Sequence, residues 1–237
     1  MLEIITFSLL NGVVYGLLLF MISSGVTLIF SMMGVLNFAH ASFYMIGAYF
    51  AYSLGLRTGF FPALVLAPVL VGLVGAVVER YGLRQVHRYG HVPELLFTFG
   101  LAYLLEESVK VIWGLPAMPY RVPEVLDGPL FTLYSTSFPK LRGFMMLVAF
   151  AMLASIYLVL MRTRIGMVIQ AALTHPQTVE ALGHNVPRVF MLVFGGGCAL
   201  AGLAGVIGGV AFVTEPSMAA SVGPIVPSVQ ISMMSRS

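Results

Sequence analysis

Asn37, His40, Ala41 and Tyr44 recur at i, i+3, i+4 and i+7, which stacks an amide, an imidazole and a phenol along one helical face. Among apolar residues such a stripe could hydrogen-bond a polar solute on its way through a membrane. The structural alternative has Asn37 capping the helix and His40 serving as a satisfied packing residue. Thr98 and Gly100 would expose a hydroxyl and a bare backbone to the same path. Glu106 and Lys110 stand i, i+4 in the favourable order and can neutralise each other, a structural role. Nothing is arranged for covalent chemistry, because the chain has no G-x-x-x-x-G-K-[ST], H-E-x-x-H or G-x-S-x-G segment. Five histidines and one cysteine are scattered without metal-ligand spacing. No catalytic residue and no metal ligand is expected, so the chain reads as a transporter, channel or assembly subunit and not an enzyme.

The elements that position these residues are set by composition. Hydrophobic residues make up 59% of the 237 and charged residues 9%, where a soluble domain carries about 25% charge. The apolar runs are long and continuous, which indicates membrane-spanning helices and excludes an outer-membrane barrel. A net charge of +3 suits anionic lipid headgroups and not nucleic acid. Cys198 lies inside an apolar run, so no internal disulfide forms, and the first run lacks a signal-peptide pattern and is read as retained.

Six spans are expected: 4–30, 38–54, 60–78, 93–114, 143–161 and 189–213. The second is near the lower length limit and could be only partly inserted. The last carries Gly195, Gly196, Gly197, Gly202, Gly205, Gly208 and Gly209, spacing that lets helix backbones approach closely and buries it in the bundle. Residues 79–91 read as a polar loop and 115–141 as a longer hydrophilic connection with five prolines. The fold class is therefore an all-α integral membrane protein, a polytopic helix bundle over residues 1–213, followed by a short tail at 214–237.

The polar interruption 162–188 stands apart. Ile165, Val168, Ile169 and Ala172 form one helical face. Thr174 and Gln177 have the form of a capping box, and a second short helix, 177–182, should stop at Gly183. Two short helices folded together make a knob suited to docking, or else a connection lying on lipid headgroups. The loops 79–91 and 162–188 share a side and hold six arginines, against Arg57, Arg121, Lys140 and Arg142 opposite, which places them in the cytoplasm.

Three blocks, LNGVVYGLLLFMISSGVTLIFSMMGVLNFAHASFYMIGAYFA, TFGLAYLLEESVKVIWG and RTRIGMVIQAALTHPQTVEALGHNVPRVFMLVFGGGCALAGLAGVIGG, resemble in order the LivH-type permeases of branched-chain amino acid ABC importers. The resemblance implies an inner-membrane permease subunit of a bacterial or archaeal cell. Its partners would be a second, LivM-like permease, two ABC ATPase subunits that use ATP and Mg, a periplasmic amino-acid-binding protein, and membrane lipid. No cofactor is expected on this chain itself. The knob becomes the ATPase coupling element, with Arg162, Arg164, Gly166, Gly183 and Asn185 carried over, and transport of branched-chain or other hydrophobic amino acids follows by alternating access. Urea or short-chain amides are the alternative cargo. Ser31 and Ala41 replace usual glycines, and Met167 replaces a usual arginine. The family normally continues past Pro216 with further spans, so the short end is expected to mark a truncated or frame-shifted chain, with a non-transporting remnant or assembly subunit as the alternative role.

Overall fold

The computed structural model describes residues 2–34, 37–120, 122–133 and 136–219. Arg121 and the tail from residue 220 onward lie outside them. The long apolar runs form α1 (Leu2–Met33), α2 (His40–Thr58), α3 (Phe60–Val78), α5 (His91–Trp113), α6 (Lys140–Arg162) and α9 (Val186–Ala211). Among the described residues, four helical stretches are long and apolar enough to cross a membrane: 4–31, 60–87, 140–162 and 186–211. α2 and α5 complete the bundle as more polar helices, α2 lying in the interior with most of its first three turns buried.

α9 is the centre of the bundle and packs on α1, α2 and α3. Its glycines bring backbones into contact with each of these three helices. A methyl group on Gly25 of α1 would lie 2.5 Å from the Gly197 carbonyl oxygen. One on Gly75 of α3 would lie 2.7 Å from the Cys198 side chain, and one on Gly195 would lie 2.8 Å from the Gly72 carbonyl oxygen. On α2, Gly47 abuts the backbone of Gly202, whose own opposite side meets Val71. The small-residue spacing thus does what close approach in lipid requires.

α2 and α5 run side by side in the same direction. The Phe38 N–H donates to Thr98 Oγ1 (3.4 Å), Ser42 Oγ to the Ala102 carbonyl (3.3 Å) and Trp113 Nε1 to Ser53 Oγ (2.7 Å). Each pair is separated by 60 residues, so the register holds along the helices.

One expectation is corrected. Residues 79–91 are not a loop: the helix of α3 continues as a π-helical turn, Glu79–Leu83, and then as α4 (Arg84–His87). Only 88–90 turns the chain, with Gly90 at φ 99°. The hydrophilic connection 115–141 has short regular elements of its own. It holds a 3-10 turn, Glu124–Leu126, and an antiparallel hairpin of β1 (Pro129–Leu133) and β2 (Thr136–Pro139). Phe131 and Phe138 stack across it at 5.2 Å. The Met118 N–H donates to the Thr214 carbonyl (2.7 Å), which ties this connection to the chain after α9. Tyr120 closes the same end over Tyr52 and Phe60, and burial pushes its phenol up to about 12, so it stays neutral.

Gly47→Val should force α2 off α9 and cost at least the ~1–3 kcal/mol typical of overpacking. Gly12→Ala, with nothing within 4 Å of the added carbon, should be neutral. Thermal unfolding of the detergent-purified variants checks the pair, with a lower Tm expected for Gly47→Val alone.

Candidate substrate path and coupling knob

Asn37 sits where α2 begins and is buried. Its Oδ1 accepts from the Ala39 N–H (3.1 Å) and its carbonyl from the His40 N–H (3.2 Å), so it organises the first turn as the capping alternative expects. Its Nδ2 is buried without a partner. His40 is fully buried, with Nε2 3.2 Å from the Ile22 carbonyl of α1. A carbonyl can only accept, so Nε2 carries the proton. Nδ1 is then a bare acceptor, also buried without a partner. Thr98 Oγ1 donates to the Leu95 carbonyl (3.0 Å) while accepting from Phe38, which brings α5 to the same turn. Asn37, His40 and Thr98 therefore gather at one end of α2.

Tyr44 lies one turn further on and is buried against Gly205 and Gly208 of α9. Gly100 does not join them. It faces outward from α5, with nothing within 4 Å of a carbon added there.

At the 162–188 interruption, Thr163 caps α7 (Arg164–Thr174), its Oγ1 accepting from the Gly166 N–H (3.1 Å). Gly166 is pressed against the carbonyls of Val159 and Leu160 at the end of α6, where a side chain would overlap them. Gln170 Nε2 donates to the Leu160 carbonyl (2.8 Å) and holds α7 folded back on α6. Ile169 and Ala172 are buried, whereas Ile165 of the expected apolar face is exposed. α8 (Pro176–Ala181) follows, and Gly183 takes φ 86° just past it, as its position after the helix predicts. The capping box does not form: Thr174 Oγ1 donates back to the Gln170 carbonyl (3.3 Å), and His175 is the N-cap of α8 without a side-chain bond. Asn185 Oδ1 accepts from the Arg188 N–H (3.0 Å) and starts α9. Arg162, Arg164, Gly183 and Asn185 are exposed on the knob.

The sequence profile described as "Branched-chain amino acid transport system / permease component" matches residues 8–232. The chain belongs to this permease family. It is 26% identical over 211 residues to the high-affinity branched-chain amino acid transport system permease protein LivH of Escherichia coli (strain K12), covering 83% of this chain and 68% of that one. It is 25% identical over 220 residues to BraD of Pseudomonas aeruginosa, named as the same kind of permease protein (86% and 70%). It is 28% identical over 208 residues to a probable branched-chain amino acid transport permease protein, LivH, of Methanocaldococcus jannaschii (82% and 63%). No solved structure matches.

The permease carries one polar junction that sequence spacing does not reveal. Arg84 donates from Nε to Glu79 Oε1 (3.2 Å), and from Nη2 both to Glu79 Oε2 and to the Pro187 carbonyl (2.7 Å each). It ties the helix continuing α3 to the first turn of α9. The Glu79 carboxylate is only 2% exposed. A second buried carboxylate, Glu94, takes His87 as a close partner and His91 Nδ1 at 3.4 Å. Glu79 and Arg84 are i, i+5, outside the i+3 and i+4 rule for helix pairs. They meet because the helix loosens into a π turn there.

Removing one member of a buried pair strands its partner. Arg84→Gln should destabilise the permease by about 3 kcal/mol, the lower end of the range because the arginine is partly exposed. Glu79→Gln combined with Arg84→Gln should recover most of that. Chemical unfolding of the single and double variants reads the coupling.

Proposed function

We propose that this chain is one of two different permease subunits of an ABC importer in the inner membrane of a bacterium or archaeon, and that it passes branched-chain or similar hydrophobic amino acids by alternating access. The knob end is cytoplasmic and receives an ATPase subunit. A periplasmic amino-acid-binding protein delivers the solute at the hairpin end. This chain hydrolyses nothing itself; ATP and Mg are used by the two ATPase partners.

The observation that carries this reading is the continuity of the knob with the centre of the bundle. α8 ends at a left-handed glycine, and two residues later Asn185 caps α9, the helix on which α1, α2 and α3 pack. A partner pressing on α7 and α8 therefore acts on the first turn of the central helix without a flexible tether. Arg162 and Arg164 give that face a positive charge suited to an acidic ATPase groove.

Asn37, His40, Tyr44 and Thr98 are the residues proposed to line the path in its closed form. The Asn37 Nδ2 donor and the His40 Nδ1 acceptor are unmet in the described structure, and a zwitterion brings both an acceptor and a donor. Neither could stay unpaired and dry without cost, so occupancy of the path would be favoured at that turn.

Co-expression of the whole assembly with uptake of labelled leucine, valine and urea tests the reading. Leucine and valine uptake that depends on the ATPase subunits is the expected result. Urea uptake alone would reassign the cargo, and failure of any ATPase to co-purify would leave a non-transporting subunit. Arg164→Glu should lower ATPase recovery and uptake about tenfold, the equivalent of ~1.4 kcal/mol at the contact. Its effect on thermal stability should be negligible, because Arg164 is exposed.

A further inference from the structure

The outer face of α5 carries charged side chains, whereas those of α3 and of residues 143–161 in α6 carry none. The exposed side chains of α3 are apolar, and those of 143–161 are apolar apart from Ser155 and Tyr157. α5 instead presents Phe99, Gly100 and Tyr103 and, a turn further on, Glu106, Glu107 and Lys110. The three ionisable side chains are 33%, 42% and 27% exposed.

Lys110 stands in the last turn of α5, but the two carboxylates are not at the end of the bundle. The 60-residue register between α2 and α5 places Glu107 level with Gly47, which abuts Gly202 of α9. From Gly202, α9 runs on to Ala211 and back to Val186, about 13 Å and about 24 Å at 1.5 Å per residue. The hydrocarbon core is ~30 Å thick, so both carboxylates lie within it. Lys110 binds Glu106 (2.9 Å) and Glu107 (2.8 Å) at once, which leaves one negative charge in excess at hydrocarbon depth. Acyl chains cannot compensate it.

We infer that the α5 face at Phe99, Gly100, Tyr103 and Glu107 is the surface on which the second permease subunit docks, with a basic or hydrogen-bond-donating side chain of that subunit set against Glu107. The inference rests on the reading of a pair of unlike permeases and deepens it by naming the face. A second copy of this chain is a poor occupant, because two-fold pairing would bring two surplus negative charges together. Gly100 supplies the notch for close helix approach, which gives a place to a glycine that the closed path does not use. α5 packs on α2 and on the π turn and α4 that continue α3, which leaves its outer side open to a partner.

The test uses the co-expressed assembly with the second permease separately tagged. A photoreactive benzoylphenylalanine replaces Phe99 or Tyr103, with Leu73 of α3 and Tyr157 of α6 as outward controls. Cross-linking to the second permease from Phe99 and Tyr103, and not from the controls, is the expected result. Glu107→Gln keeps the Glu106–Lys110 pair and should lower recovery of the second permease at least threefold while leaving the yield of this chain unchanged. If the second permease co-purifies but cross-links only from Leu73 or Tyr157, the face is wrong and the pairing stands. Cross-links to a second copy of this chain, or unchanged recovery of the Glu107→Gln complex, also overturn the proposal. If no second permease co-purifies with the unaltered chain, the pairing itself falls.

Discussion

The bundle depends on the approach of α9 to three other helices at backbone distance. In lipid the hydrophobic effect does not favour one apolar helix contact over another, so association relies on van der Waals packing and interhelical hydrogen bonds. Glycine maximises the first by removing the Cβ. It costs about 0.5–1 kcal/mol of helix stability relative to alanine at each position, so a run of them is sustained only where packing offsets the loss. Here the offset is visible residue by residue: Gly197 against Gly25, Gly202 against Gly47, Gly195 against Gly72. α2 can carry Asn37, His40 and Ser42 into the interior because the helix bearing them is held on one side by α9 and on the other by α5.

That same closeness makes α9 a stiff member. Close-packed interfaces do not deform continuously; they shift as bodies or repack into another discrete arrangement. Two restraints meet at the first turn of α9, the Asn185 cap from the knob side and the Arg84 bond to the Pro187 carbonyl from the α3 side. Arg84 is itself anchored on a nearly buried carboxylate, so the second restraint is charge-assisted and directional. On the proposed function, movement of the knob would therefore reach α3 and α9 together.

Elements with a strong local signal were legible in the sequence. The apolar runs became helices, Gly183 took the left-handed position after α8, and the Glu106–Lys110 pair formed, joined by Glu107. The failures each have a physical source. Thr174 could reach either a cap position or the carbonyl four residues back, and the i−4 bond prevailed. The stretch 79–91 is polar, but polarity does not end a helix where a buried ion pair and a π turn can carry it on. The hairpin at 129–139 hides among prolines, and only the Phe131–Phe138 stack and the cross-strand register disclose it. For the path, helical spacing put Asn37 and His40 on one stripe, and the same spacing sets Gly100 about 200° round the helix from Thr98, so its outward face was legible in the sequence and was misread.

The contacts link these pieces in series. The knob starts α9; α9 grips α2 through Gly202 and Gly47, and through Gly205 and Gly208 against Tyr44. α2 in turn holds α5 by three hydrogen bonds in constant register, from Thr98 at the turn where Asn37 sits to Trp113. A helix pair bonded along its length slides only by breaking several bonds at once, so α5 follows α2. The polar turn of Asn37, His40 and Thr98 lies within that series, between α9 and the outward face of α5. On the proposed function, a displacement entering at the knob would pass the unmet Asn37 and His40 groups before it reached the Glu107 surface. A solute that pairs those groups stabilises whichever arrangement lets it reach them, and by reciprocity of linkage that arrangement favours the solute.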